Sequence, residues 1–160
     1  MMHALADLFR RDLTRLAQEL RAFPDDATLW ATLPGVSNSA GNLTLHLEGN
    51  LRHFIGYHLG GVAYTRVREK EFVTDGIPAA DLIQRIESLQ SFIPDIVAGL
   101  TQAQLDSIFT ASVWDGQRVT SQFLFHIYGH LNFHLGQIGY LRRILTGGSS
   151  VKFVELKNHD

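Results

Sequence analysis

The sequence predicts an all-α protein, a four-helix bundle with long crossover connections. Three observations carry this. Four long segments repeat apolar residues at steps of three and four. Caps, prolines and glycines bound those segments where helices start and stop. Two of the connections are too long for tight antiparallel hairpins, which disfavours a simple up-down-up-down order.

In the first segment Leu5, Phe9, Leu13, Leu16, Leu20 and Phe23 form one stripe, and Pro24 ends it. The second runs from about Ser39 to His58. Ser37, Asn38 and Ser39 offer N-caps, Gly60-Gly61 offers the stop, and the inner line reads Leu43, His46, Leu47, Asn50, Phe54. The third opens at Pro78 and carries Leu82, Ile86, Leu89, Ile93, Ile96 and Leu100, with a kink expected at Pro94. The fourth runs from near Thr120 to Gly147-Gly148, with Ile127, Leu131, His134, Ile138, Leu141 and Leu145 alternating by three and four. Thr101 and Gln104 read as a capping box for a short extra helix. Val113 to Val119 reads as a small hairpin turning at Asp115-Gly116. The loops from Phe23 to Asn38 and from Gly60 to Gly76 carry Trp30 and the charged run YTRVREKEF. Residues 1–147 are expected to form one domain and 148–160 a loosely held tail.

At 160 residues the chain can bury a real core, and its 45% apolar content is ordinary for a globular domain. A net charge of −2 without long runs of one sign argues against nucleic-acid binding. The absence of cysteine excludes disulfides, thiolate metal sites and a cysteine nucleophile. The opening MMHALADLFRRDL reads as an amphipathic helix and not a signal peptide, and no apolar run approaches membrane-spanning length. A cytoplasmic protein without a membrane or nucleic-acid partner is expected.

The chemistry concentrates in histidine. His126, His130 and His134 recur every four residues in an otherwise apolar helix. At 3.6 residues per turn each step drifts by about 40°, so the three hold the edge of the core stripe. Two imidazoles at this spacing can share one metal ion, and imidazole suits zinc, nickel, copper and iron. His46 occupies a second apolar stripe. Each alone could be a core histidine satisfied by one hydrogen bond. Together they favour a metal, because one cation satisfies several buried imidazoles at once. Three histidines over two turns span about 12 Å, too far for one ion on a straight helix. His130 with His134 is the chosen pair, with His126 as pocket wall; the pair His126 and His130 has the same spacing and stays open on geometry alone.

Asn50, His53 and Tyr57 share the sector of His46, either lining a pocket or bonding one another and the loops. Glu48 points about half a turn away and reads as a solvated or interface charge. Arg66, Arg68, Lys70 and Glu71 read as a solvated loop sooner than a substrate clamp. Trp30 and Trp114 read as plugs under loops. No carboxylate is placed beside the three histidines, so no general base is named beyond the candidates His126 and His53.

The stretch NLTLHLEGNLRHFI, the loop YTRVREKEF, the turn WDGQRVT and above all HLNFHLGQIGYLRRIL resemble the DinB/YfiT-like family of metalloenzymes, the DinB superfamily. The resemblance covers most of the chain. It implies a left-handed, up-down-down-up four-helix bundle with a long second crossover. It implies a divalent ion, zinc or nickel, held by one histidine of the second helix and two of the fourth: His46, His130 and His134. It also implies a homodimer and a small-molecule substrate, with a low-molecular-weight thiol in the transferase members and water in those described as hydrolases. The expected function is therefore a metal-dependent S-transferase or a related transferase or hydrolase. The rival readings are a non-catalytic metal-binding or stress-response module, and a haem-binding bundle with one axial histidine.

Overall fold

A computed structural model describes residues 1–111 and 116–152. Its described residues are helical apart from loops and one antiparallel bridge between Ile108 and Val119. The elements are α1 (Met2–Arg21), α2 (Asp26–Trp30), α3 (Ala40–Leu51), α4 (Arg68–Val73), α5 (Ala79–Gln90), α6 (Ile93–Ala98), α7 (Gln102–Asp106) and α8 (Thr120–Thr146). No helix among the described residues is long and apolar enough to cross a membrane.

The apolar stripes become the core. Phe9, Leu13, Leu16 and Leu20 of α1, Leu82, Ile86 and Leu89 of α5, and Phe123, Leu131 and Ile138 of α8 are fully buried. α1 packs on α5, α6 and α8, and α3 packs on α8, α5 and α4. α3 is the central element, with every residue except Asn42 buried. Ser39 is its N-cap. The Ser39 hydroxyl accepts from the Asn42 amide nitrogen at 3.1 Å, and the Asn42 side chain accepts from the Ser39 nitrogen at 3.2 Å. The box at Thr101 and Gln104 forms in the same way and opens α7. α8 stops at Gly147, whose φ of 66° suits a residue without a Cβ.

Several expectations need correction. The second helix does not run regularly to His58. After Leu51 it widens into a π-helical turn over Arg52–Tyr57, marked by the bond from His58 N to His53 O at 3.2 Å. The third segment is broken, not kinked: α5 ends at Gln90, and the chain restarts as α6 with Pro94 in its first turn, where a missing N–H costs nothing. Pro78 caps α5 from outside instead of opening it. The long loops carry helices of their own, α2 and α4. Trp30 plugs the first of them: its indole N–H donates to Ile77 O at 2.9 Å, and its ring lies over Gly41, where a Cβ would sit 2.6 Å from the ring carbons. Residues 113–115 of the expected hairpin, with the Trp114 plug, and tail residues 153–160 lie outside the described residues, while Gly116 has a φ of 97° and Val119 bridges Ile108. Residues 148–152 have no regular structure, though Ser149 O accepts from Arg142 Nη2 at 2.9 Å.

Polar groups are also buried between the helices. Glu19 of α1 and Arg142 of α8 are 3% exposed each and meet at 2.6 Å. Gly139 leaves room for that carboxylate, since a Cβ there would lie 3.3 Å from Glu19 Oε1. Asp12, 1% exposed, accepts from Arg11 at 2.7 Å and from the Tyr128 hydroxyl at 2.7 Å. Removing one partner of such a pair leaves an uncompensated charge in the core. Glu19→Ala should therefore destabilise the protein by about 3–5 kcal/mol in urea unfolding. A joint replacement of Glu19 and Arg142 by leucine should cost clearly less. Equal losses in the two proteins would mean that the packing of the side chains, and not the charge, carries the contact.

Candidate metal centre

His46 stands in the middle of α3 and faces α8, which presents His130 and His134 one turn apart. One ring nitrogen from each of the three lies within 4.8 Å of the others. The rings meet nearly edge to face, with centroids 5.1 Å apart for His46–His130, 5.1 Å for His46–His134 and 4.4 Å for His130–His134. Nε2 of His46 and Nε2 of His130 are 2.9 Å apart. Two ligand nitrogens on one tetrahedral zinc lie about 3.4 Å apart, given bonds of about 2.1 Å. The spacing therefore matches the reach of a single ion.

The neighbours set which nitrogens are open. Glu71 Oε2 lies 2.9 Å from His46 Nδ1, so that nitrogen donates and Nε2 keeps its lone pair. Gln137 Oε1 lies 2.6 Å from His134 Nδ1 and orients that ring in the same way. Arg66 grips Glu71 through two bonds, Nε to Oε1 at 2.6 Å and Nη2 to Oε2 at 2.8 Å, and also donates to Asn50 Oδ1 at 3.2 Å. The Asn50 amide nitrogen points at Nε2 of His46 (2.8 Å) and of His130 (3.2 Å), and at His46 O (3.0 Å). A flipped amide would set its oxygen against that carbonyl and its nitrogen against Arg66, so this orientation is fixed by its surroundings. Lone pairs converging on one spot, with an anion backing one ring, are the arrangement found behind histidine metal ligands. The residues present fit a divalent ion.

Burial opposes ionisation of Glu71, but the hydrogen bonds from Arg66 and His46 and the charge of both outweigh it and hold the carboxyl below its ordinary value. Burial, the neighbouring charges of His134, His46 and His126, and that of Arg66 push His130 down to about 4. Burial likewise lowers His134 against the opposing Gln137 bond, and it lowers His126 and His53. Neutral imidazole is the metal-binding form, so the depression of His130 and His134 favours binding of a cation there.

An open cavity of about 640 Å³ lies over His46 and His130, with Asn50, His53, His126 and Arg68 in its wall. His126 stacks on His130 at 6.2 Å and stands outside the close group of three. Tyr57 is not among the lining residues and is 47% exposed. The π-helical turn adds a residue to the repeat, so Tyr57 leaves the sector it would share with His46 on a regular helix.

The sequence reading missed Arg66 and Glu71. They do not belong to a solvated loop: Glu71 is 6% exposed, sits in α4 and places a carboxylate beside the histidines. Gly49 makes this possible, because a Cβ there would overlap Glu71 Oε1. A glycine within a buried stripe, three residues after His46, was the available signal. Glu48 is also buried, between Arg52 at 2.8 Å and Arg85 at 3.6 Å. Gln137 was legible only as part of a motif; its bond to His134 follows from the i, i+3 spacing.

The sequence profile of the DinB superfamily matches residues 7–138. The chain belongs to the DinB superfamily. A crystal structure of a DinB-like protein from Bacillus cereus ATCC 10987 is similar to this DinB-superfamily chain with a TM-score of 0.66 and 16% identity, over 89% of this chain and 90% of that one. At that identity the likeness speaks to the fold alone. No curated protein matches the chain.

The depressed groups define a pH window. A histidine with a folded pKa of about 4 and an unfolded value near 6.5 binds fewer protons when folded, so it favours folding above 6.5 and loses that advantage as pH falls toward 4. Glu71, also depressed, acts in the same direction. Metal-free protein should become steadily easier to unfold by urea from about pH 6.5 down to about pH 4, and His130→Gln should flatten that slope. A flat profile in the parent protein would contradict the buried neutral site.

Proposed function

We propose that this DinB-superfamily chain is a divalent-metal-dependent enzyme whose ion, zinc or nickel, is held by His46, His130 and His134. The observation that carries the reading is a group of three imidazoles, braced by Glu71 and Gln137 from behind and bordered by a cavity in front. Three protein ligands leave a coordination position for substrate, the pattern of catalytic and not structural sites. A bound divalent ion would supply Lewis acidity, favouring the thiolate form of a small thiol or activating a water. The reaction that fits best is S-transfer from a low-molecular-weight thiol to a small electrophile, or a related small-molecule transfer or hydrolysis, in a cytoplasmic homodimer.

The protein's own groups have distinct tasks. Glu71 fixes the His46 tautomer and is not a free base, because both its oxygens accept from Arg66 and one also from His46. His53 and His126 are the candidates for moving a proton. Both line the cavity and both are kept neutral by burial, so each has a lone pair to offer. His53 Nδ1 is a buried atom without a hydrogen-bond partner among the described residues. Phe54 and Ile127 give the cavity an apolar side, while Arg68 and Glu69 give it a charged one. The elements support a left-handed up-down-down-up bundle of α1, α3 with its π-helical turn, α5 with α6, and α8.

His46→Ala, His130→Ala and His134→Ala should each remove most bound metal in elemental analysis of purified protein, while His126→Ala keeps it. A site emptied by His126→Ala but not by His134→Ala would shift the pair by one turn. Glu71→Gln should weaken the metal by about 10–100-fold in chelator competition. For the reaction, a small thiol added to cobalt-substituted protein should produce a new near-ultraviolet charge-transfer absorption. An unchanged spectrum with every thiol tried would favour a metal-binding module without S-transfer.

A further inference from the structure

α8 has an outer face that the described residues leave largely uncovered, with the Arg143 guanidinium lying over the Tyr140 ring, 4.4 Å from its centroid. Phe125, Phe133, Tyr140 and Ile144 are 54%, 61%, 64% and 63% exposed, which is unusual for four large apolar side chains of one helix. Gly129 and Gly136 lie on the same face, and a Cβ at either would meet nothing within 4 Å. Glycine inside a helix costs about 1 kcal/mol relative to alanine. Among the described residues nothing accounts for that cost at these two positions, whereas Gly139 on the inner side makes room for Glu19. Close approach by a backbone from outside would account for both.

The face has a self-complementary order. Its residues run Phe125, Gly129, Phe133, Gly136, Tyr140, Ile144, at steps of four, four, three, four and four. When a second copy of this helix is laid antiparallel about a two-fold axis between His134 and Leu135, Phe133 comes level with the partner's Gly136, Tyr140 with the partner's Gly129, and Phe125 with the partner's Ile144. Each glycine then faces an aromatic ring, the alternation of bulk and gap that close helix packing needs. The area is adequate. An aromatic side chain offers about 150–250 Å², so Phe125, Phe133 and Tyr140, each more than half exposed, together with Ile144 present roughly 400 Å² per chain. That is an apolar centre in proportion to a standard interface of about 800 Å² per partner. The seam also borders the candidate metal centre, because the Phe133 ring lies 5.1 Å from the His134 ring.

We propose that α8 is the dimer interface of this protein and that the occupant of its outer face is α8 of a second copy, antiparallel, in the register that sets Phe133 against Gly136. The proposal rests on the homodimer reading above and gives it a surface.

The test uses the full chain. Sedimentation equilibrium should show a dimer for the parent protein. It should show the mass halved for Phe133→Glu and for Gly136→Leu, with helical circular dichroism retained. Gly136→Leu is the sharper variant, since it fills empty space in a single chain and raises helix propensity. The chain has no cysteine, so the register can be read by crosslinking. A mixture of Phe133→Cys and Gly136→Cys chains should oxidise to covalent dimers faster than either chain alone. A parent protein that is monomeric would overturn both the dimer reading and this surface. A parent dimer that survives both substitutions would overturn the surface and leave the dimer reading standing. A monomer that dimerises only when residues 153–160 are removed would assign the face to the chain's own tail.

Discussion

Three imidazoles share one desolvated spot between two helices, and much of the structure follows from that constraint. Nitrogen lone pairs cannot face one another at hydrogen-bond distance without a proton or cation between them. The Nε2 atoms are therefore aimed at one another by partners that hold the far sides of the rings. Glu71 does this for His46 and Gln137 for His134, while the Asn50 amide serves the open side. Each of these needs its own support. Glu71 would be an isolated buried anion without Arg66, and Arg66 in turn donates to both Glu71 and Asn50. The motif is thus a small network reaching from α3 through α4 to α8.

Buried charge recurs elsewhere and follows the same rule. Glu19 with Arg142, Asp12 with Arg11 and Tyr128, and Glu48 with Arg52 and Arg85 tie helices together at points where an apolar contact would have served. Such pairs contribute little net stability, because the cost of removing them from water is close to what their attraction returns. They do restrict the register. Glu19 meets Arg142 only where Gly139 leaves space, which locks α1 against α8 at one height. The height of α8 in turn decides which of its histidines stands opposite His46.

Glycine does related work at two scales. Gly41 admits the Trp30 ring and Gly49 admits the Glu71 carboxylate, so each lets a loop element press on the buried α3. Both loops thereby become parts of the core despite lengths that suggest mobile surface segments. The π-helical turn adds one more departure from regular geometry beside the cavity. It keeps His53 on the cavity wall and turns Tyr57 out to solvent.

The all-helical character, the long first and last helices, the caps at Ser39 and Thr101, the stop at Gly147 and the histidine pattern were legible in the sequence. They depend on local periodicity and on side chains bonding within three or four residues of themselves. Local spacing pointed to His46 with one of two HxxxH pairs, and the family resemblance favoured His130 with His134, the pair that stands close to His46. The break at Gln90, the π-helical turn, and the burial of Arg66, Glu71 and Glu48 were decided by tertiary structure. A charge run such as YTRVREKEF has the same local appearance whether it meets water or a buried imidazole. What makes it part of the site is a contact across 25 residues, from Glu71 to His46, through a gap left by Gly49, and such a contact has no period to read.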